Sequence, residues 1–158
     1  MTPRLQFAVL GAYNSSIGIT PFQRFYLGGD GLTGYNNMDG RDLIGFRGYV
    51  NNGLTPNYPN STGGTVYEKF TLELRYPISL NPSATIYGLT FLEGGHDWLY
   101  WKDVNPFDVY RSAGVGIRVF LPMFGLLGLD WGYGLDPIRG VPGVNGSQFH
   151  FSINSSID

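Results

Sequence analysis

One arginine in this sequence needs a chemical partner more than any other residue does. Arg47 lies in the segment Phe46-Arg47-Gly48-Tyr49, downstream of the pair Gly28-Gly29. A guanidinium is permanently charged and presents five N–H donors in a fixed planar fork. In a chain of alternating strands, such a group needs a carboxylate or water. The sequence therefore predicts that Arg47 sits on a loop that folds into a polar interior and meets acidic side chains there.

Other kinds of chemistry find little support among the remaining polar residues. His96 and Asp97 could suggest metal binding or acid–base catalysis. However, the second histidine, His150, lies on a different segment, where alternation predicts an inward-facing structural role, and the chain has no cysteine. No serine has a Gly-x-Ser-x-Gly setting, although a Ser/His phospholipase stays formally open. We therefore expect no catalytic residue, no metal site and no cofactor.

The composition favours strands and turns over helices. Of 158 residues, 24 are glycine and 16% are aromatic, and no long stretch is rich in alanine, glutamate and lysine. This balance is typical of twisted strands. The formal net charge of −2 gives no electrostatic argument for binding to nucleic acid. No apolar run approaches the ~18 residues that a membrane-spanning helix needs, and the length suits one domain.

Apolar and polar residues alternate with a period of two along about six segments. One face of the clearest segment is apolar and is interrupted only by Glu68: Val66, Phe70, Leu72, Leu74, Tyr76 and Ile78. The other face is mainly polar: Tyr67, Lys69, Thr71, Glu73 and Arg75. Two later segments also have inward-facing charged residues: Arg118 on the first of them and Asp130 on the second. Glu73 and Asp130 are therefore candidate partners for Arg47.

The length of these segments favours a membrane β-barrel. Several reach ten residues, whereas strands of soluble proteins average ~5–6 and barrel strands need ~9–11. Short links that contain proline, at 77–82 and 121–124, alternate with long polar links at 14–63 and 97–108. That asymmetry is typical of outer-membrane barrels. The alternative is a soluble β-sandwich, whose strands also alternate, but strand length and inward-facing glycines favour the barrel.

Five motifs occur in one order along nearly the whole chain. They are Phe25-Tyr26-Leu27-Gly28-Gly29, Phe46-Arg47-Gly48-Tyr49, Thr71-Leu72-Glu73-Leu74-Arg75-Tyr76-Pro77, Phe91-Leu92-Glu93-Gly94-Gly95-His96-Asp97-Trp98 and Phe149-His150-Phe151-Ser152-Ile153. In this order they resemble the C-terminal part of the BamA family of outer-membrane protein assembly factors. Together with Gly-Leu-Asp-Trp-Gly-Tyr-Gly at 128–134, the variant is similar to those of Bacteroidetes-type bacteria.

The resemblance implies a fold and a set of contacts. Residues 1–158 would be the last six strands of a 16-stranded barrel in the outer membrane of Gram-negative bacteria, preceded by periplasmic POTRA domains. A long loop at about 17–63 would fold inward, and its tip would place Arg47 on an inner wall that offers Glu73, Glu93 and Asp130. The terminal strand would carry Phe149, Phe151 and Ile153.

The resemblance also implies a function without catalysis. Members of the family insert and fold other outer-membrane proteins without nucleotide or covalent chemistry, at a weak seam between the first and last strands. The implied partners are client outer-membrane proteins, the lipid bilayer and accessory assembly lipoproteins. The alternative is a small passive outer-membrane barrel that serves as a channel, an adhesin or a lipid-acting enzyme. A passive barrel has no reason to keep an Arg-Gly-Tyr tip that faces carboxylates.

Two features depart from the family pattern. Thr33-Gly34-Tyr35 is a second near-copy of the tip that lacks the arginine, and Ile157 followed by Asp158 stands where the family usually ends on an aromatic residue.

The edges of a six-stranded sheet lead to a separate expectation. The strands near 5–13 and 149–153 should be the two edges, because sequential hairpins fix that order. Open edges cannot lie exposed in lipid. The chain alone is therefore expected to oligomerise, to pair with another chain, or to belong to a longer polypeptide.

Overall fold

The computed structural model describes residues 2–11, 24–30, 42–60, 62–81, 84–122, 125–138 and 141–154. Within these ranges the chain forms eight strands and one 3₁₀ turn, Trp101–Asp103. The strands are β1 (Thr2–Val9), β2 (Phe25–Leu27), β3 (Asp42–Ile44), β4 (Val66–Asn81), β5 (Ala84–Trp98), β6 (Tyr110–Leu121), β7 (Gly125–Gly134) and β8 (Ser147–Asn154). No helix in the described part of the chain is long and apolar enough to cross a membrane.

Six of the strands form one antiparallel sheet in the order β1-β4-β5-β6-β7-β8. From β4 onward each strand pairs with the next one in the chain, which is the up-and-down arrangement. Strands β4 and β5 contain 16 and 15 residues, well above the ~5–6 of an average soluble strand. The predicted all-β sheet of about six antiparallel strands is confirmed, and β1 and β8 are its two edges, as the sequence predicted.

The two faces of this sheet differ in chemistry because neighbouring side chains on a strand point to opposite sides. The registers place Thr71 opposite Glu93, and Asp130 opposite both Gly116 and His150, so these residues share the inner face. The outer face exposes large apolar side chains: Leu5, Phe7, Val9, Phe70, Leu74, Leu92, Val115, Ile117, Leu129, Trp131, Phe149, Phe151 and Ile153. An exposed apolar surface of this extent indicates contact with lipid or with another protein.

The buried apolar core lies between the inner face and the long loop. Its members are Leu27, Phe46, Tyr49, Leu54 and Val144, all of them at most 4% exposed. Most come from the loop rather than from the long strands, so the loop forms the second layer of the molecule. A soluble sandwich would instead bury its core between two sheets of long strands, which is not the arrangement found among the described residues.

The loop contains a short parallel pair that the sequence did not predict. Strands β2 and β3 pair in parallel, with Tyr26 opposite Leu43. The pair is joined to the main sheet through an antiparallel bridge between Phe25 and Gly64, just before β4 begins. Strands of three residues are too short to show a period of two, which is why alternation missed them.

The turn expected at 77–82 is wrong in its position. Strand β4 continues through Pro77 to Asn81, with an irregular register between Pro77 and Ser79. Proline lacks an N–H and is tolerated at irregularities and on strands with a free side. Among the described residues β1 pairs with β4 only as far as Glu73, so this part of β4 has one unpaired side. Of the remaining predictions, Thr33-Gly34-Tyr35, Ile157 and parts of the 17–63 loop lie outside the described residues.

Candidate functional site at the loop tip

The loop tip, defined here as residues 46–49, is held in place by the glycine pair upstream. The Phe46 N–H donates to the carbonyl oxygen of Gly29 at 2.8 Å, and the Gly29 N–H donates back to the Phe46 carbonyl at 3.1 Å. Gly29 has a φ of +77°, and a Cβ on it would lie 1.6 Å from Oδ1 of Asn51. Only glycine fits there, so the Gly28-Gly29 pair sets the direction from which the tip meets the wall.

Inward-facing glycines on β7 give the tip room to touch the backbone of the wall. Gly48 has a φ of +87°, and a Cβ on it would lie 2.7 Å from the Gly134 nitrogen. A Cβ on Gly132 would lie 2.7 Å from the Gly48 nitrogen, and one on Gly134 would lie 2.4 Å from the Gly48 oxygen. Because Gly132 and Gly134 have no side chains, the backbone of the tip packs directly against the backbone of β7.

Glu93 of β5 is the main partner of Arg47. The Arg47 backbone N–H donates to Glu93 Oε2 at 2.9 Å, and Nε and Nη2 donate to Oε1 at 3.0 and 2.7 Å. Lys69 Nζ lies 3.2 Å from the same Oε1 and also donates to the Gly45 carbonyl. The Glu93 residue is 2% exposed. Charge-assisted bonds of this kind are the strong ones, because donor and acceptor are both charged and largely removed from water.

Two further carboxylates reach the same guanidinium. Arg47 Nη2 donates to Glu73 Oε1 on β4 at 3.0 Å, and Nη1 donates to Asp130 Oδ2 on β7 at 3.4 Å. The Arg47 Cζ lies 3.6 Å from the centre of the Phe91 ring, in cation–π contact. Strands β4 and β7 are three positions apart, which is about 14 Å in a flat sheet. Their convergence on one side chain fits a sheet that curls around the tip.

Two arginines extend this cluster along the inner wall. Arg118 donates two hydrogen bonds to Asp130, at 2.7 and 2.8 Å. Arg75 Nη2 donates to Oε2 of Glu73 at 2.9 Å. The alternation placed both arginines on the inner face. The pairing of Arg118 with Asp130 depends on the register of β6 and β7, whereas Arg75 and Glu73 are two residues apart on β4; neither pairing was predicted. Together with Arg47 and Lys69, four cations thus surround three carboxylates, and each carboxylate is shared by two cations. The cluster borders a polar cavity of about 200 Å³.

The other tip residues bind the last strands and the chain segment between them. The Gly48 N–H donates to Nε2 of His150 on β8 at 2.9 Å. The Tyr49 hydroxyl lies 3.1 and 3.0 Å from the carbonyl oxygens of Arg111 and Asp136, and accepts the Asp136 N–H. Burial raises the pKa of Tyr49 to about 12, so the hydroxyl remains a donor even in moderately alkaline solution.

The remaining candidate residues lie away from the tip. His96 stacks on Trp98 and contacts the Asp108 backbone at the end of β5. The terminal-strand residues Phe149, Phe151 and Ile153 lie on the exposed outer face, opposite to His150. Within the described ranges no three histidine, cysteine or acidic residues form a group that could hold a metal.

Comparison with known proteins adds a family to this geometry. A model of the Omp85 superfamily domain matches residues 2–157. The chain belongs to the Omp85 superfamily. No curated protein matches the chain. Omp85 proteins are outer-membrane β-barrels, and the long antiparallel strands and apolar outer face of this Omp85 domain agree with that architecture.

Proposed function

We propose that this Omp85 domain is the barrel portion of a factor that inserts and folds client outer-membrane proteins without catalysis. The observation that carries the proposal is the Arg47 guanidinium, which bonds to carboxylates of three different strands at once. Such a contact braces the wall from inside. The brace would hold β4, β5 and β7 in register while the edges of the sheet separate and pair with a client strand.

The energetics favour a structural brace over a ligand-binding arginine. The three carboxylates leave no nitrogen of the guanidinium without an acidic partner. Removing one side of a buried ion pair costs about 3–5 kcal/mol, because the remaining charge stays buried and uncompensated. A small passive barrel, acting as a channel, an adhesin or a lipid-acting enzyme, is the alternative. It would need no internal loop fixed this strongly to its wall.

The proposal includes the finer features of the resemblance. The complete protein would be a 16-stranded barrel with POTRA domains, of the Bacteroidetes-like variant, in which residues 1–158 form the C-terminal part. Clients would bind by adding a strand to an exposed edge, where main-chain hydrogen bonds supply affinity with little dependence on client sequence. Accessory assembly lipoproteins and the bilayer complete the set of proposed partners.

The test is client insertion by the full-length protein reconstituted in liposomes. We expect Arg47→Ala to slow insertion strongly, and Arg47→Lys to restore it only in part, because lysine lacks the planar fork. Arg111→Ala is the matched control, since it removes an arginine that also makes a two-bonded carboxylate pair, with Asp136, but is exposed. Insertion by Arg47→Ala at the wild-type rate would refute the proposed brace.

A charge exchange identifies the partner that matters. Arg47→Glu combined with Glu73→Arg, and then with arginine at Glu93 or Asp130 in turn, restores an ion pair of opposite polarity. We expect the largest recovery of insertion with Glu73, because its other partner, Arg75, is half-exposed and can move away. An arginine at position 93 would face Lys69 and the backbone N–H of residue 47, which need an acceptor. Equal failure of all three pairs, with a folded barrel, would mean that the pairing itself is not what insertion requires.

A further inference from the structure

The edge strand β8 is attached to the rest of the molecule at two places. Its first attachment is the antiparallel ladder with β7, from Leu126↔Asn154 to Tyr133↔Ser147. Its second is the hydrogen bond from the Gly48 N–H to His150 Nε2, at 2.9 Å. In the described sheet β8 has no strand neighbour beyond β7, and the loop tip bonds to its inner face at His150.

The loop also bonds to the segment that immediately precedes β8 in the chain. The Val50 N–H donates to the Val144 carbonyl at 2.9 Å, and Tyr49 forms an antiparallel bridge with Asn145. Val144 is 2% exposed and belongs to the core that the loop builds. Tyr49 and Val50 therefore bind the segment just before β8, and Gly48 binds β8 itself at His150.

His150 also stands directly opposite Asp130 in the ladder. One position of the β7–β8 pair thus carries two bonds to consecutive tip residues: Asp130 to Arg47, and His150 to Gly48. The first bond fixes the tip to β7. The second fixes β8 to the tip, and it is made by a side chain that is 6% exposed.

We propose that His150 is the positioning residue through which the loop tip holds the edge strand β8, so that loss of this bond frees β8 to separate from the sheet and pair with another strand. The second half of this inference rests on the proposed function, in which an edge receives a client strand. The first half concerns only this chain and stands without it.

The chemistry of the bond makes it sensitive to protonation. Nε2 can accept the Gly48 N–H only when the imidazole is neutral with its proton on Nδ1, because both nitrogens of a protonated ring are donors. The charged groups that face the ring are Asp30, Asp130, Glu93 and Arg47, with Arg118 bound to the far side of Asp130. Protonation would leave the Gly48 N–H facing a donor and would break the link.

Three variants separate the acceptor from the titrating ring. His150→Gln places an amide oxygen near the position of Nε2, so it keeps an acceptor but cannot be protonated in this range. His150→Leu removes the acceptor. Gln148→Ala is the matched control, because Gln148 precedes His150 on the same face of β8 and makes no bond to the tip that the described structure shows.

The experiment is hydrogen exchange of the full-length protein in detergent, followed on peptides from β8, β7 and β4 at about pH 7.5 and about pH 5.5, with intrinsic rates corrected. Loss of one hydrogen bond should accelerate β8 exchange by about fivefold. We expect His150→Leu to show the acceleration relative to wild type at both pH values, and Gln148→Ala and His150→Gln to show none at about pH 7.5. Exchange in β8 that is not accelerated in His150→Leu, or a His150→Gln variant that behaves like His150→Leu, overturns the proposal.

Two further outcomes are decisive. Acceleration that spreads equally over β4 and β8 in His150→Leu would indicate a general loss of stability and would also overturn the link. If the β8 pattern appears as expected but Arg47→Ala inserts clients normally, the proposed function fails and the link to β8 stands. If client insertion depends on Arg47 but β8 exchange is the same with and without His150, the proposed brace at Arg47 stands and the proposed link between His150 and the tip fails.

Discussion

At Arg47 every nitrogen of the side chain meets a carboxylate, and the carboxylates are not equivalent. Glu93 accepts from the Arg47 backbone, from Nε and from Nη2, and is also contacted by Lys69. Glu73 lies at the open side of the cluster, where it is shared with the half-exposed Arg75. The sequence predicted these three carboxylates as partners but gave no order among them, because the order depends on distances that only the folded sheet provides.

We expect Glu93→Gln to destabilise the barrel by about 3–5 kcal/mol, since it leaves two buried cations short of their main partner. Glu73→Gln should cost less, because water can reach that side of the cluster. The measurement is the temperature at which the folded barrel loses its shifted mobility in semi-native electrophoresis. The prediction is wrong if the two variants unfold at the same temperature.

Gly48 supplies a second prediction at this scale. Gly48→Ala should cost more than the ~1–3 kcal/mol expected from strained backbone alone, because a Cβ there would lie 2.7 Å from the Gly134 nitrogen. Gly143→Ala is its control: Gly143 has a similar φ of +82° with nothing within 4 Å of the added atom. The same unfolding assay should show a clearly larger loss for Gly48→Ala. Equal losses would mean that the wall contact adds nothing to the strain.

At the scale of elements, the ends of β6 and β7 are joined by an ion pair at the rim. Arg111 donates through its backbone, Nε and Nη2 to Asp136, just beyond β7. The hydrogen bonds from Arg111 hold the pKa of Asp136 below its usual range, against the effect of partial burial. A carboxyl with a lowered pKa in the folded state stabilises the fold above its unfolded pKa and loses that contribution as the pH falls through the folded pKa.

We therefore expect Asp136→Asn to lower stability slightly at neutral pH and to match wild type in strongly acidic solution. Unfolding curves of both proteins at several pH values, from neutral to below the ordinary pKa of an aspartate, test this expectation. The effect should be small because both groups are partly in water. A difference between the two proteins that persists unchanged in acid would contradict the assignment of the ion pair.

Among the elements, alternation identified the long strands but not the loop pair or the end of β4. The segment from Val66 to Ile78 was predicted from its period of two, and the strand extends only a few residues further. The proline at 77 suggested a turn because proline usually interrupts a ladder. The structure accommodates it where one side of β4 has no neighbour and the register shifts, and neither condition is visible in the local sequence.

At the scale of the whole molecule, the two open edges lead to a prediction about assembly. Residues 1–158 produced alone in mild detergent should associate through β1 or β8, since unpaired strand edges are unfavourable in an apolar environment. Analytical ultracentrifugation together with cross-linking between engineered cysteines on the two edge strands tests this. A monodisperse monomer with both edges unpaired would refute it. The assignment of residues 1–158 to a larger barrel domain also stays a prediction.

The sequence by itself determined which side chains face inward, since the period of two is a local property of each strand and needs no knowledge of the neighbours. It thereby placed Lys69, Glu73 and Asp130 on the polar side. The tertiary structure alone decided which of them meet. Glu73, Glu93 and Asp130 lie on three strands, and their convergence on Arg47 depends on register, on the curl of the sheet and on the path of the loop. Those are long-range properties, set by pairings between residues far apart in the chain, and the bond from Gly48 to His150, 102 positions away, could not be found without them.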